Sequence, residues 1–111
     1  MFVFAADCPS ETLKNGAKRT IKGHIGDLMV VELVWQKGMT STQHAHEHRQ
    51  CCYVVRGSFR MQLNGESRIL RAGDCLYAEA NVPHGVVEAL EDDSVLLDIF
   101  TPRRDDFLAT Q

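Results

Sequence analysis

The sequence predicts an all-β fold, a small barrel or jelly roll, and three observations point that way. Short apolar runs rich in β-branched residues recur at intervals of about eight to twelve residues, each bounded by Gly, Pro, Asn or Asp. No amphipathic stretch of about ten residues or more carries the period of a helix. One hairpin is plain: Phe59, Met61 and Leu63 alternate with Ser58, Arg60 and Gln62, and Asn64-Gly65 follows. That pair takes positive φ at both central positions of a type I′ turn with little penalty.

Taken in order, residues 1–18 read as an N-terminal arm or strand. Within it DCPSETLKNGAK has Pro, Ser, Asn and Gly but little apolar periodicity, so it is expected to be irregular, with at most one helical turn. Residues 19–111 read as the barrel and its C-terminal tail. Arg19 to His24 can pair as a strand, and Gly26-Asp27 mark a turn. Leu28 to Trp35 is a near-continuous apolar run, as in a strand covered on both sides, with Met29, Val31, Leu33 and Trp35 on one face. A single Trp in such a strand reads as core; a sugar-stacking platform is the functional alternative. Glu66 to Leu70 returns from the hairpin, Arg71 to Asp74 turns, and Cys75 to Ala78 is a further strand. Asn81-Val82-Pro83 is a tight bend that presents His84, and Val95 to Phe100 closes the series.

At 111 residues the chain fits one domain with one core. A net charge of -3, a pI near 5.9 and the lack of a Lys/Arg stripe argue against a nucleic-acid partner. The start lacks a basic region ahead of its short apolar stretch, and no apolar run is long enough to cross a bilayer, so a cytoplasmic protein with no membrane partner is expected. The four Cys lack metal or framework spacing, and the vicinal Cys51-Cys52 pair cannot bridge without strain, so reduced thiols are expected. Cys52 reads as small core packing, with a thiol near the site as the alternative.

The chemistry concentrates in residues 38–57, GMTSTQHAHEHRQCCYVVRG. If this stretch is extended, period-2 alternation aims His44, His46 and Gln50 at one face. Imidazole is the commonest transition-metal ligand, so three His within five residues point to a metal cluster rather than to a solvated loop. His44 and His48 have helical spacing, but the Glu that a metalloprotease helix carries after its first His is missing. The spacing resembles the first signature of the cupins, G-x5-H-x-H-x(3,4)-E-x6-G: Gly38, His44, His46 and Gly57 fall in place, and Gln50 stands where most cupins carry Glu. Their second signature is matched more loosely by GDCLYAEANVPHGVVE, with Gly73 and His84 in place. The resemblance implies a cupin-type jelly-roll barrel and one divalent transition metal ion on His44, His46, Gln50 and His84. It leaves His48 outside the ligand set. Three imidazoles and an amide oxygen suit Zn, Ni, Mn, Co or Fe(II).

In VLLDIF, Asp98 and Phe100 share one face and Val95, Leu97 and Ile99 the other. An inward carboxylate needs a cation, a metal or a wet cavity, which makes Asp98 a site candidate. An edge strand with Asp98 in solvent is equally open from the residues alone. The run NVPHGVVEALEDDSVLLDIFTPRRDDFL resembles the tail of the small pectin-degradation cupins of the KdgF type, which share the HxH pair, the Gln ligand, the NVPH turn and an ending D-x-F-x-P-x-R-x-D-F-L. That resemblance covers residues from about 19 to 108. It implies an isomerase-like conversion of cyclic 4,5-unsaturated uronates, small anionic sugars, to their linear ketonised form. Asp98 would transfer the proton, Arg104 would pair with the substrate carboxylate, and Phe100 would bound the pocket. Arg103, by alternation, points elsewhere.

By analogy with cupins a homodimer is expected, and the apolar FVFAA is spare strand material for it. Three rival classes stand beside the isomerase: an Fe(II) dioxygenase, a sugar-binding or sensor module, and a barrel whose metal only stabilises. The lack of a Glu ligand, with Gln50 in its place, counts against the first, and 111 residues leave no room for a DNA-binding domain beside a sensor.

Overall fold

The alternation along Leu28–Trp35 becomes a buried row of Met29, Val31, Leu33 and Trp35 in a computed structural model that describes residues 1–109. The last two positions of the expected 19–111 barrel lie outside the described residues. Nine strands form among the described residues: β1 (Ser10–Thr12), β2 (Lys18–Ile25), β3 (Leu28–Trp35), β4 (Arg49–Arg56), β5 (Ser58–Leu63), β6 (Glu66–Arg71), β7 (Cys75–Ala78), β8 (His84–Ala89) and β9 (Ser94–Thr101). They make two antiparallel sheets, one ordered β1-β2-β3-β9-β4-β7 and one ordered β6-β5-β8. The only α-helix among the described residues is one turn, α1 (Asp105–Leu108).

The two sheets close on a common core whose largest fully buried side chains include Phe59, Phe100, Met29 and Leu96. Trp35 of the larger sheet meets Phe59 of the smaller edge to face, with centroids 6.0 Å apart. Such a pair adds about 0.5–1.5 kcal/mol beyond the area it buries. Trp35 therefore sits in the core, as expected, while also forming part of a cavity wall.

The hairpin forms as its sequence dictates: Leu63 pairs with Glu66, and Asn64 and Gly65 have φ of 48° and 87°. Gly57, at φ 79°, takes the chain from β4 into β5 past Ser94; a Cβ there would lie 2.0 Å from the Ser94 hydroxyl oxygen, so no larger residue fits.

The N-terminal arm is more regular than expected. A 3₁₀ turn at Ala5–Asp7 is followed by β1, which adds to β2 with Glu11 opposite Arg19. Three residues are too few to show an alternation, so this strand is set by the edge of β2 rather than by its own pattern.

What positions the site is the place of β9. The last strand inserts between β3 and β4, so Asp98 lies opposite Val31 on one side and Cys52 on the other, and Phe100 lies between Met29 and Gln50. Directly opposed residues share a face. Asp98 therefore shares the inner face with buried neighbours, and the edge-strand alternative is excluded.

Candidate metal centre and active site

The loop from Gly38 to His48 is not a strand: β4 begins at Arg49, and only His44 makes a β-bridge. The side chains that the parity argument grouped do converge, but by another route. Residues 38–44 run along β8 through hydrogen bonds from Gly38 N to the Ala89 carbonyl and from Ser41 N to the Val86 carbonyl. His44 and His84 exchange N–H···O bonds in both directions, each 2.9 Å. Gly85 permits this approach, because a Cβ there would lie 3.1 Å from both the Gln43 Cα and the Thr42 carbonyl oxygen. The Asn81 amide donates to the His46 carbonyl at 2.7 Å, tying the far end of the loop to the bend before His84.

His44, His46 and His84 thereby place one ring nitrogen each within 4.8 Å of one another, positioned to bind a metal ion. His44 is exposed, His46 half-buried and His84 buried. Gln50, buried at the start of β4, sets its Oε1 2.9 Å from His84 Nε2 and 3.0 Å from His46 Nε2. His48 stands apart from the three-His group, its ring 5.4 Å from that of His46 and 6.4 Å from Phe100.

The donor set fits a divalent cation. His84 Nδ1 donates to the Val82 carbonyl at 2.9 Å and His44 Nδ1 to that of Thr42 at 3.2 Å, so the lone pair of each ring resides on Nε2. A lone pair on His84 Nε2 facing the Gln50 amide oxygen at 2.9 Å is a meeting of two acceptors, which a shared cation resolves. The His46 and His84 rings are also kept neutral. Burial, and then the charge of Arg104, lower His46 from 6.5 to about 4 despite its bond to Gln50. Burial lowers His84 as well, against the Val82 hydrogen bond that raises it. Neutral imidazole is the form that ligates.

Beside this cluster lies a cavity of about 160 Å³, with Gln50, Asp98, Phe100 and Arg104 on its wall. It is smaller than the usual range for drug-sized ligands, as suits a small ligand. Asp98 is half-buried as a residue, yet its Oδ1 is shut off from solvent and has no hydrogen-bond partner. Burial raises its pKa, while hydrogen bonds from Cys52 and Gln50 and the charge of Arg104 draw it back down. The Gln50 amide nitrogen also contacts Cys52 Sγ at 2.9 Å, so the amide turns its oxygen to the histidines and its nitrogen to Cys52 and Asp98. Cys52 is both core and cavity wall, and burial pushes its thiol well up, keeping it a donor.

Arg104 grips Asp106 with two hydrogen bonds of 3.0 and 2.8 Å, and its guanidinium carbon lies 5.2 Å from the Phe100 centroid. Arg103 pairs instead with Asp105 and is far more open to solvent, as alternation predicts. Sequence reasoning missed Arg19 and Phe107, which also line the cavity. The inward parity that Arg19 shares with Ile21 was a signal, but Thr20 between them is buried too, which blurs the alternation of β2.

A two-sheet β-barrel holding three convergent histidines is the architecture of a metallocupin, and residues 30–100 match the cupin domain: the chain belongs to the cupin family. Within that family it is similar to the pectin degradation protein KdgF of Dickeya dadantii (strain 3937), with 47% identity over 103 residues, 92% of this chain and 93% of that one. The structure of KdgF from Halomonas sp. matches with a TM-score of 0.90 and 40% identity, covering 96% of this chain and 97% of the other. An RmlC-like cupin from Shewanella frigidimarina NCIMB 400 matches with a TM-score of 0.87 and 36% identity, covering 96% and 94%.

Proposed function

We propose that this protein isomerises cyclic 4,5-unsaturated uronate monosaccharides, of the kind released by pectate and alginate lyases, to their linear ketonised form. The observation that carries the reading is a buried carboxylate, Asp98, and a guanidinium, Arg104, lining the cavity beside the histidine cluster of a chain 47% identical to a pectin degradation protein.

The reaction is a redistribution of one proton. The anomeric hydroxyl loses its hydrogen, the bond from C1 to the ring oxygen breaks to leave an aldehyde and an enolate, and a proton added at C4 gives the 5-ketone. Asp98 transfers the proton, since a carboxyl raised by burial works as an acid or a base closer to neutral pH than a solvated one. Arg104 takes the substrate carboxylate on the guanidinium edge that Asp106 leaves open, and the Phe100 ring bounds the cavity and holds the sugar. His44, His46, Gln50 and His84 would hold one divalent transition ion, Zn, Ni, Mn, Co or Fe(II), which when bound polarises sugar oxygens without changing oxidation state.

The test is an assay of the metal-loaded protein with unsaturated galacturonate, following the absorbance of the conjugated enol. Loss of absorbance in the absence of oxygen supports the isomerase and counts against a dioxygenase. No turnover of any unsaturated uronate overturns the reading.

The working form on this reading is a cytoplasmic homodimer. No helix among the described residues is long and apolar enough to cross a membrane. Phe2 and Phe4 are 92% and 66% exposed, and Tyr77 on the outer side of β7 is 72% exposed, which is apolar surface for a second copy to cover. A monomeric mass in sedimentation equilibrium at micromolar concentration would remove the dimer from the proposal.

A further inference from the structure

Residues 103–106 carry two ion pairs of the same spacing, one open to solvent and one at the cavity. Arg103 donates from Nε to a single oxygen of Asp105 at 2.8 Å, and its side chain is 40% exposed. Arg104 donates from Nε and Nη2 to the two oxygens of Asp106, at 3.0 and 2.8 Å, and its side chain on the cavity wall is 13% exposed. The first is a loose surface contact and the second a two-point grip. Both carboxylates lie in the first turn of α1, so the helix gives each the same reason to be acidic and does not account for the difference.

The grip has a geometric consequence. A guanidinium carries five N–H donors in one plane, and Asp106 takes two of them along the Nε–Nη2 edge. The outer donors of Nη1 and Nη2 remain, parallel to one another, and they match one carboxylate end-on. A plane held at two points along one edge cannot turn about its own stem, so the open edge has its direction before a ligand arrives. The Phe107 and Phe100 rings, with centroids 4.1 and 5.2 Å from the guanidinium carbon, bound the same group. The Arg104 hydrogen bonds in turn hold the Asp106 carboxyl below its ordinary range, which keeps it ionised at neutral pH.

We infer that Asp106 is a positioning residue: it locks the Arg104 guanidinium so that the end-on edge is presented to the carboxylate of the substrate. The inference rests on the proposed uronate chemistry and deepens it, because affinity for the sugar acid then belongs to a pair of residues rather than to Arg104 alone.

Steady-state kinetics of the metal-loaded full chain on unsaturated galacturonate, with melting curves and metal content for each variant, test it. Asp106→Asn keeps size but turns one acceptor into a donor, so one of the two bonds is lost; KM should rise about tenfold with kcat changed less than about threefold. Asp106→Glu, which restores the carboxylate, should fall between it and wild type. Asp105→Asn alters the same turn without touching Arg104, and its KM should stay within about twofold of wild type. In an Arg104→Ala background, adding Asp106→Asn should change KM by less than about twofold, since the residue it acts through is gone. An unchanged or lowered KM in Asp106→Asn overturns the inference, as does an equal effect of Asp105→Asn, or a tenfold rise that persists in the Arg104→Ala background and so makes Asp106 a prop for α1. If Asp106→Asn shows no melting transition, Asp106→Glu against Asp105→Glu decides on the same criterion. A wild type without turnover fails the parent reading and this one with it; an active wild type with an unaffected Asp106→Asn fails this one alone.

Discussion

Cys52 and Asp98 lie opposite one another across the β4–β9 pair, and the buried thiol hydrogen-bonds to the carboxyl in a way that favours its charged form. The thiol is pushed so far up by burial that it remains a donor. Cys52→Ala removes that bond while burial remains, so the Asp98 pKa should climb and the acid limb of kcat/KM against pH should move to higher pH. Cys52→Ser, which keeps a donor, should return the limb toward wild type. Profiles that coincide in wild type and Cys52→Ala would show that the thiol does not tune the carboxyl.

Asp98→Asn keeps shape and hydrogen-bonding capacity but cannot shuttle a proton as a carboxyl does, so turnover should fall by a factor on the order of 100 or more. Metal content should stay at the wild-type level. Arg104→Ala removes a contact made in ground and transition states alike, and should raise KM more than it lowers kcat. Rapid-mixing assays separate the two patterns. Wild-type turnover in Asp98→Asn on every unsaturated uronate tried would take the proton-transfer role away from Asp98.

At the histidine cluster, His44→Ala should lower metal occupancy much more than His48→Ala, measured by elemental analysis of purified protein. The three-His group includes His44 and leaves out His48. Equal losses would place His48 on the ion and undo the assignment of Gln50.

Acid should weaken the metal-free protein through His46. Its folded pKa is about 4 against an ordinary 6.5. Between those values the unfolded chain binds a proton that the folded chain refuses, so stability falls as pH drops from 6.5 toward 4 and is unaffected by this residue above that window. Melting temperature against pH should decline over that range, and His46→Gln should flatten the decline. Parallel curves for wild type and variant would contradict the shift.

How much of this could be read from the chain depended on the kind of signal. Asn64-Gly65 and the alternation around it specify their hairpin locally, and Leu28–Trp35 announces its buried face by composition. His44, His46, Gln50 and His84 were legible because cupin spacing had already encoded the loop, although His44 and His46 reach the site through bonds to β8 and the bend before it rather than through strand parity. Asp98 was ambiguous, since its own strand cannot say whether it lies at an edge or in the middle of a sheet; only pairing with Val31 and Cys52 settles that. Arg19 and Phe107 were hidden because their contacts join residues 88 positions apart, a separation that no local pattern encodes.

The central place of β9 also bears on how the chain folds. Until Ser94–Thr101 has been synthesised and docked, β3 and β4 present two unpaired sheet edges to each other, and Asp98 does not yet exist beside Cys52. Contacts of such long sequence separation make folding slow, and open edges of Val- and Leu-rich strands invite pairing with other chains. A chain cut short before residue 94 should therefore aggregate rather than form a smaller barrel, and any ion captured early by His44 and His46 would sit in a pocket with no carboxylate until the ninth strand closes it.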